Sequence, residues 1–370
     1  MKPKISVSIV NWNGGVDIVK CLQSLYAQTY KDILEVIVVD NDSKDGSLEV
    51  IEKKFSRIVT VRNDFNMGFC KAHNQAIRIA RGEHLLLLNF DILLEPDFLG
   101  RMVTVMESSP KIGMVSGKLR RSINGEKSKL LDSTGITMFR YFSAPRGENE
   151  EDTGQYDGPE CRSIFGPCGA APLYRRAMLE DIRVREEYFD EDFVNYVEDV
   201  DLAWRAQLRG WRGVYVPEAV AYHERGATRK SNPQEQYNYY LRGFRNRYLA
   251  MYKNITDFEW KRTGHKITLG ELAFLLSCND KMNCASIHWK ALFEARRLNR
   301  LFRLKRVLIQ SRLRISPEEM MSFFDYEKFS FFHSPWNIIK SSIHQFLCQF
   351  RLGQILIRRY QMLKRRLSGP

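Results

Sequence analysis

The chain reads as an α/β protein with a mostly parallel sheet flanked by helices, followed by a basic, mainly helical C-terminal region. Three observations predict this. Short β-rich runs alternate with stretches of helical apolar spacing over residues 1–116, the signature of βαβ units. The run His84-Leu-Leu-Leu-Leu-Asn-Phe-Asp91 is continuously apolar until it ends in Asn89 and Asp91, as a strand covered on both faces should be. Successive runs also end in polar residues: Asn11, then Asp40 and Asp42, then Asn89 and Asp91. In a parallel sheet those ends share one edge, and ligands of open α/β sheets bind just outside it.

Each element can be justified in order. Ile5–Val10 is β-rich and stops at the turn cluster Asn11-Trp-Asn-Gly-Gly15; Val16–Ala27 then carries apolar residues at 18, 19, 22 and 25, a helical spacing. Leu34–Val39 is a second strand, followed by a helix that starts near Asp45-Gly46-Ser47. Arg57–Val61 is a third strand, Asn66-Met-Gly-Phe69 a loop, and Cys70–Ala80 a helix closed by Gly82. The strand ending at Asp91 comes fourth, with a helix from about Pro96, and Ile112–Ser116 is a fifth strand. Residues 117–160 turn polar and glycine-containing and read as loops, either a flap beside the site or a surface excursion. Further on, Leu202, Ala203, Ala206 and Leu208 mark a helix ended by Gly210, and Gly213–Pro217 and Ala219–His223 are β-rich. Past Arg229–Pro233 the chain becomes mostly helical.

Composition narrows the class. A chain of 370 residues, 44% hydrophobic and 27% charged, is globular and long enough for one to three domains. Met-Lys-Pro-Lys followed directly by a strand leaves no room for a signal peptide, and no segment has the roughly 18 to 20 apolar residues of a spanning helix. Cysteines 21, 70, 161, 168, 278, 284 and 348 have no zinc or redox spacing and read as free thiols. The net charge of +13 is unevenly placed: residues 231–370 hold 25 Lys and Arg against 10 Asp and Glu, a balance of +15, which leaves −2 for the rest. That region calls for an anionic partner. After the first strand Asn-Trp-Asn-Gly-Gly stands where a dinucleotide site would have G-x-G-x-x-G.

Several positions carry candidate chemistry. A carboxylate at Asp91 suits a divalent cation that carries a diphosphate; it also suits the opening of a turn. Gly169, Ala170 and Ala171 are small enough to let backbone approach a ligand, or to make a tight packing turn. Glu198, Asp199 and Asp201 place three acids in four residues at a helix start, more than capping needs, and such neighbours shift one another's pKa. Arg242, Arg245 and Arg247 interleave with aromatics, which fits phosphate contact or a solvated helix face.

Val38-Val-Asp-Asn-Asp-Ser-Lys-Asp-Gly46, Asn66-Met-Gly-Phe69 with Asn74, and Leu88-Asn-Phe-Asp91 together resemble family 2 glycosyltransferases of the GT-A fold. More narrowly, they are similar to bacterial rhamnosyltransferases of surface polysaccharide synthesis, over residues 5–250. The resemblance implies a GT-A domain at 1–230, with a nucleotide-binding half at 1–116 and an acceptor half at 117–230. It implies that Asn11, Asp40, Asp42, Asn66, Gly68, Asn74, Asn89, Gly169, Ala170 and Ala171 hold the nucleotide and donor sugar, Asp40 reading the pyrimidine. It implies that Asp91 and His223 hold a divalent cation, Mn²⁺ or Mg²⁺, the imidazole tilting preference towards Mn²⁺. Asp199 would be the base, Glu198 would orient the acceptor, and Asp201 would be structural. Asn89 departs from the two-acid metal motif, so the ion would lean on the nucleotide phosphates.

The resulting expectation is an inverting, metal-dependent transfer of L-rhamnose from dTDP-rhamnose to a lipid-linked or growing cell-surface glycan. The basic region at 231–370 would rest on an anionic membrane surface, peripheral on the cytoplasmic side of the cell membrane. Ala295–Arg306 and Ile357–Arg366 interleave bases with apolar residues as interfacial helices do, with clean periodicity around Ile343, Phe346, Leu347 and Phe350. No nucleic-acid-reading motif accompanies the charge. The alternatives are a transferase of galactose, glucose or an N-acetylhexosamine, and a catalytically inactive scaffold, which Asn89 favours and the Glu198-Asp199 pair with His223 opposes.

Overall fold

A computed structural model describes residues 4–139, 143–225, 233–277 and 284–325. The βαβ alternation appears as β1 (Ile5–Asn11), α1 (Gly15–Tyr26), β2 (Ile33–Asp40), α2 (Ser47–Lys54), β3 (Ile58–Arg62), α3 (Phe69–Ile79) and β4 (His84–Asn89). Then come β5 (Ile92–Leu94), α4 (Phe98–Glu107), β6 (Ile112–Ile123), β7 (Glu126–Ser133), β8 (Ile136–Phe139) and β9 (Ser143–Pro145). β10 (Ser163–Ile164), β11 (Leu173–Arg175), α5 (Arg176–Ile182), α6 (Glu198–Leu208) and β12 (Arg212–His223) complete the main sheet. Helices α7 (Pro233–Asn254), α8 (Asp257–Ser277), α9 (Cys284–Gln310) and α10 (Pro317–Ser322) follow, with the short β13 (Phe324–Asp325).

The main sheet has the order β10-β12-β6-β11-β4-β1-β2-β3, with β5 added on β12 and β7 on β6. β3, β2, β1 and β4 are parallel neighbours, and β6 and β12 pair in parallel; β11 runs antiparallel between β4 and β6. The apolar run in β4 is explained by cover on both faces. Leu86 and Leu88 enter a core with α1 and α4, while Leu85 and Leu87 enter another with α3, α5 and α6. Register brings the polar ends together, because Asn11 lies opposite Asp40 and Val10 opposite Asn89.

Residues 117–160 are not the loops expected. Most of 112–145 forms β6 to β9, and Asn124-Gly125, at φ 54° and 82°, makes the tight hairpin turn between β6 and β7. Charge within these strands disguised them. Lys118, only 4% exposed, pairs at 3.1 Å with the buried carboxylate of Asp152, which Arg120 also holds. The two β-rich pieces 213–217 and 219–223 are one strand, β12, with a register irregularity between Val216 and Val220.

The described C-terminal residues are helical as expected, and among the described residues no helix is long and apolar enough to cross a membrane. The periodic window around Ile343–Phe350 and the basic run Ile357–Arg366 lie outside the described residues. Cys21, Cys70, Cys161 and Cys168 are free thiols.

Candidate active site

The edge at the ends of β1 and β2 is a closed hydrogen-bond network. The Asn11 amide donates to Asp40 Oδ1 at 2.7 Å, to Ser43 Oγ at 3.0 Å and to Ser47 Oγ at 2.9 Å, while the Ser43 N–H donates to Asp40 Oδ2 at 3.0 Å. Burial of Asn11 and Asp40 demands this, since a buried polar group without a partner is costly. Asp42 sits half-buried at φ 64° and pairs with Lys44. Asn66 Oδ1 caps the Gly68 N–H at 2.9 Å, and Asn41, buried, donates to the Gly68 carbonyl at 3.3 Å. Glycine is required at 68: its φ is 82°, and a Cβ would lie 2.5 Å from Val194 Cγ1.

Asn74, expected on the donor, is instead consumed within the protein. Its amide donates to the Phe189 carbonyl at 2.8 Å and to Glu191 at 3.0 Å, and its oxygen accepts from the Phe189 N–H at 2.9 Å. It ties α3 to the segment before α6.

Asp91 and His223 are brought together by strand pairing. Just beyond Asp91 the chain folds back as β5, which pairs antiparallel with β12 and sets Ile92 opposite His223. His223 Nε2 then lies 3.3 Å from Asp91 Oδ1, and its Nδ1 is 2.8 Å from Asp132 Oδ2. Burial works against a charged imidazole, but Asp91 and Asp132 outweigh it and hold the His223 pKa up at about 9. Asp132, fully buried at the end of β7, meets Arg225 Nε at 2.9 Å, and Arg225 and Arg121 both reach Glu148. Burial pushes the Asp132 carboxyl up, yet His223, Arg225 and Arg121 leave it below its ordinary range. Among the described residues no group of three or more His, Cys, Asp or Glu is arranged as a metal cage.

The second chemical centre begins where α6 begins. Asp199 accepts from the Gly169 N–H at 2.9 Å and from the Val200 N–H at 2.8 Å, and the Ala170 carbonyl accepts from the Asn89 N–H at 2.8 Å. Gly169-Ala170 therefore bridges the Asp199 carboxylate to the strand end that precedes Asp91. Burial raises the pKa of Asp199 against these donors. Glu198 is driven further, to about 8, by burial and then by the charge of Asp199, and its Oε2 is buried without a partner. Asp201 turns the other way: fully buried, it pairs with Arg205 at 3.0 Å and Lys253 at 3.0 Å and accepts from Asn254 at 2.7 Å.

The loop before α6 is strained. Val194, Tyr196 and Val197 stand at φ 66°, 72° and 71°, a region that β-branched residues avoid. It is held from α7. The Asn246 amide donates to the carbonyls of Phe193, Asn195 and Tyr196 at 2.9, 2.9 and 2.8 Å. The arginines that suggested phosphate contact are spent on protein: Arg242 on Asn195, Arg245 on the Asp192 and Phe193 carbonyls, and Arg247 in a bidentate pair with Glu271.

The family model "Glycosyl transferase family 2" matches residues 6–183, which span β1 to the start of the segment leading into α6. Residues 6–183 therefore form a glycosyl transferase family 2 domain. The chain is 28% identical over 230 residues to an N-acetylglucosaminyltransferase of Azorhizobium caulinodans, an overlap of 60% of the chain and 55% of that relative. It is 26% identical over 245 residues to the O-antigen biosynthesis protein RfbC of Myxococcus xanthus, covering 65% of the chain and 19% of RfbC. The chain thus spans about half the length of the first relative and a fifth of the second. A solved structure of GalNAc-T7 with UDP, GalNAc and Mn²⁺ superposes with a TM-score of 0.58 at 15% identity, over 80% of this chain and 55% of that one. That likeness establishes the GT-A fold.

The sequence alone does not mark Asp132, Arg225 or Asn246. The Asn124-Gly125 hairpin signal would have placed Asp132 at a strand end. Nothing local marks Asn246, whose role arises only when α7 meets the loop at 193–197.

Proposed function

We propose that the chain is an inverting, divalent-cation-dependent glycosyltransferase. It moves a sugar, L-rhamnose from dTDP-rhamnose, from a nucleotide diphospho-sugar to a hydroxyl of a lipid-linked or growing cell-surface glycan. The observation that carries this reading is the joint across Gly169-Ala170, which ties the Asp199 carboxylate to the end of β4 that precedes Asp91, the partner of His223.

In this reading residues 1–230 bind donor and acceptor. Asn11, Asp40, Asp42, Asn66, Gly68 and Asn89 form the nucleotide edge, and Gly169, Ala170 and Ala171 lie against the donor sugar. Asp199 accepts the acceptor proton as its oxygen attacks the anomeric carbon. Glu198, protonated below about pH 8, donates a hydrogen bond that orients the acceptor. Nominating no second nucleophile leaves one displacement and an inverted centre.

The donor atoms suit a cation. Asp91 offers a carboxylate oxygen and His223 an imidazole nitrogen 3.3 Å away, with Asp132 fixing the other ring nitrogen as metal-bound histidines require. Asp91 and His223 would be the residues that hold the cation, together with the donor's diphosphate. Bound there, Mn²⁺ or Mg²⁺ would neutralise charge on the departing nucleoside diphosphate. The C-terminal region would hold the enzyme at the cytoplasmic face of the membrane, near lipid-linked acceptors.

The names of the relatives favour a second donor, a nucleotide-linked N-acetylhexosamine. Release of nucleoside diphosphate from a panel of nucleotide sugars decides between them, measured with membrane extract as acceptor source, with Mn²⁺ or chelator, for wild type and Asp199→Asn. Cation-dependent turnover of dTDP-rhamnose, lost in the variant, is the expected result. Turnover of another donor replaces the sugar alone, survival in the variant moves the base, and silence with every donor overturns the enzyme reading.

A further inference from the structure

Helix α9 has two faces of different chemistry. Its inner face packs Ile287 and Ala291 against Leu241 of α7, and Phe302 and Ile309 into the main core. Its outer face turns Trp289, Phe293, Leu304, Val307 and Leu308 to the outside, with Trp289 and Phe293 each 62% exposed and Val307 60%. These positions recur at helical spacing along a single stripe about 28 Å long. Arg296, Arg300 and Arg303 are exposed on the same stripe, and the Arg297 guanidinium lies 5.3 Å from the Phe293 ring. No acid shares this face: Glu294, the one acidic residue of α9, is turned to Arg245 at 3.8 Å.

From this we propose that the outer face of α9 is the surface by which the protein docks on a bilayer containing anionic lipid. The apolar side chains would enter the boundary between headgroups and acyl chains, with the arginines reaching lipid phosphates around them. An exposed Trp and Phe flanked by arginine match that boundary, where an aromatic ring has apolar surroundings and its polar edge stays wet.

Charge selects this occupant over the others. Residues 326–370 carry 8 Lys and Arg against 1 Asp and Glu, so folding them over this stripe would set positive charge on positive charge. A second copy meeting through the same face would oppose arginine to arginine. Nucleic acid would satisfy the arginines and leave the Trp, Phe, Leu and Val side chains without apolar partners. The proposal deepens the membrane placement given above and rests on that part of it, not on the chemistry of the site.

The test is flotation of the full chain with phosphatidylcholine vesicles, with and without phosphatidylglycerol. The variants are Trp289→Ser/Phe293→Ser and Arg296→Glu/Arg300→Glu/Arg303→Glu. All five residues are exposed, and circular dichroism melting is the check that both variants fold. Wild type should float only with the phosphatidylglycerol vesicles. The aromatic variant should lose at least about tenfold in partitioning. The charge variant should lose on the order of a hundredfold, at about fivefold per basic residue.

Variants that float as well as wild type overturn the proposal, as does a wild type that binds neither vesicle. It also falls if sedimentation shows a dimer that the aromatic variant splits, or if an oligonucleotide binds the chain while vesicles do not. Nucleotide-sugar turnover is read separately. Vesicle results as expected with no turnover leave this face standing and remove the sugar chemistry, while turnover with indifferent variants does the reverse.

Discussion

At the ends of β1 and β2, Asn11, Asp40, Ser43 and Ser47 satisfy one another, whereas at the start of α6 Glu198 is buried with one carboxylate oxygen unpartnered. The first edge meets the ordinary rule for buried polar groups. The second departs from it: carboxyl pKa values are pushed up by burial, Val194, Tyr196 and Val197 stand at positive φ, and the loop leans on contacts from α7 and α3, distant in sequence. Each such backbone conformation costs of order 1–3 kcal/mol and persists only where surrounding structure enforces it. A satisfied edge can hold a ligand in a fixed frame, and an unsatisfied one keeps groups poised to exchange protons. Substitutions should therefore act on turnover at the α6 side and on binding or little at all at the β1–β2 side.

The largest effect expected is at Asp199, the proposed base. Asp199→Asn should lower kcat by about 10²–10⁴-fold with little change in donor KM, read as nucleoside diphosphate release. Asp132→Asn should lower activity at limiting Mn²⁺ by about 10–100-fold and regain much of it at high Mn²⁺, because the carboxylate acts through the orientation of His223. A loss equal at all Mn²⁺ concentrations would remove Asp132 from that role.

Asn246→Ala removes the amide that reaches three carbonyls of the strained loop, of which Phe193 keeps Arg245 and the Asn195 N–H as donors. It should lower stability by about 1–3 kcal/mol in urea unfolding. In the fraction still folded, it should lower kcat more than donor KM. Equal effects on both would make the clamp a support for folding alone.

Glu198→Gln tests burial by pH. The folded pKa of about 8 lies above the ordinary 4.5, so the unfolded chain releases this proton first. Wild-type stability then falls as pH rises from about 4.5 to 8, and the penalty stays in full above that. The variant should melt higher than wild type at pH 9, and the difference should shrink to nothing towards pH 4.5. A difference independent of pH would show that Glu198 is not buried in its neutral form.

The smallest effect sits on the β1–β2 edge. Asp42→Asn breaks a surface pair with Lys44 and keeps a residue that tolerates φ 64°, so stability should change by less than about 0.5 kcal/mol. Donor KM rises if Asp42 meets the nucleotide. An unchanged KM would reduce Asp42 to a turn residue.

Asn11, Asp40, Asn89 and Asp91 were legible in sequence as one edge because strand ends in a parallel sheet converge whatever their separation along the chain. The acids at 198–201 were visible as a cluster, but their different fates were not. Asp201 is neutralised by Lys253, more than fifty positions away, while among the described residues no cation pairs with Glu198. Residues 117–160 were misread because Lys118, Arg120 and Asp152 cancel in ion pairs and give strands the composition of loops.

Sequence by itself determined the βαβ order, the both-faces-buried β4, the position of the polar strand ends and the basic charge beyond residue 230, since these follow from local periodicity and composition. Tertiary structure alone decided which of those polar groups are satisfied and which are left poised. Asp132 reaches His223 through the pairing of β6 with β7 and β12, Asn74 is consumed by Phe189, and Asn246 clamps a loop about fifty residues before it. The physical reason is that a side chain's pKa and hydrogen bonds depend on the dielectric and the partners around it. Only long-range packing brings those partners together.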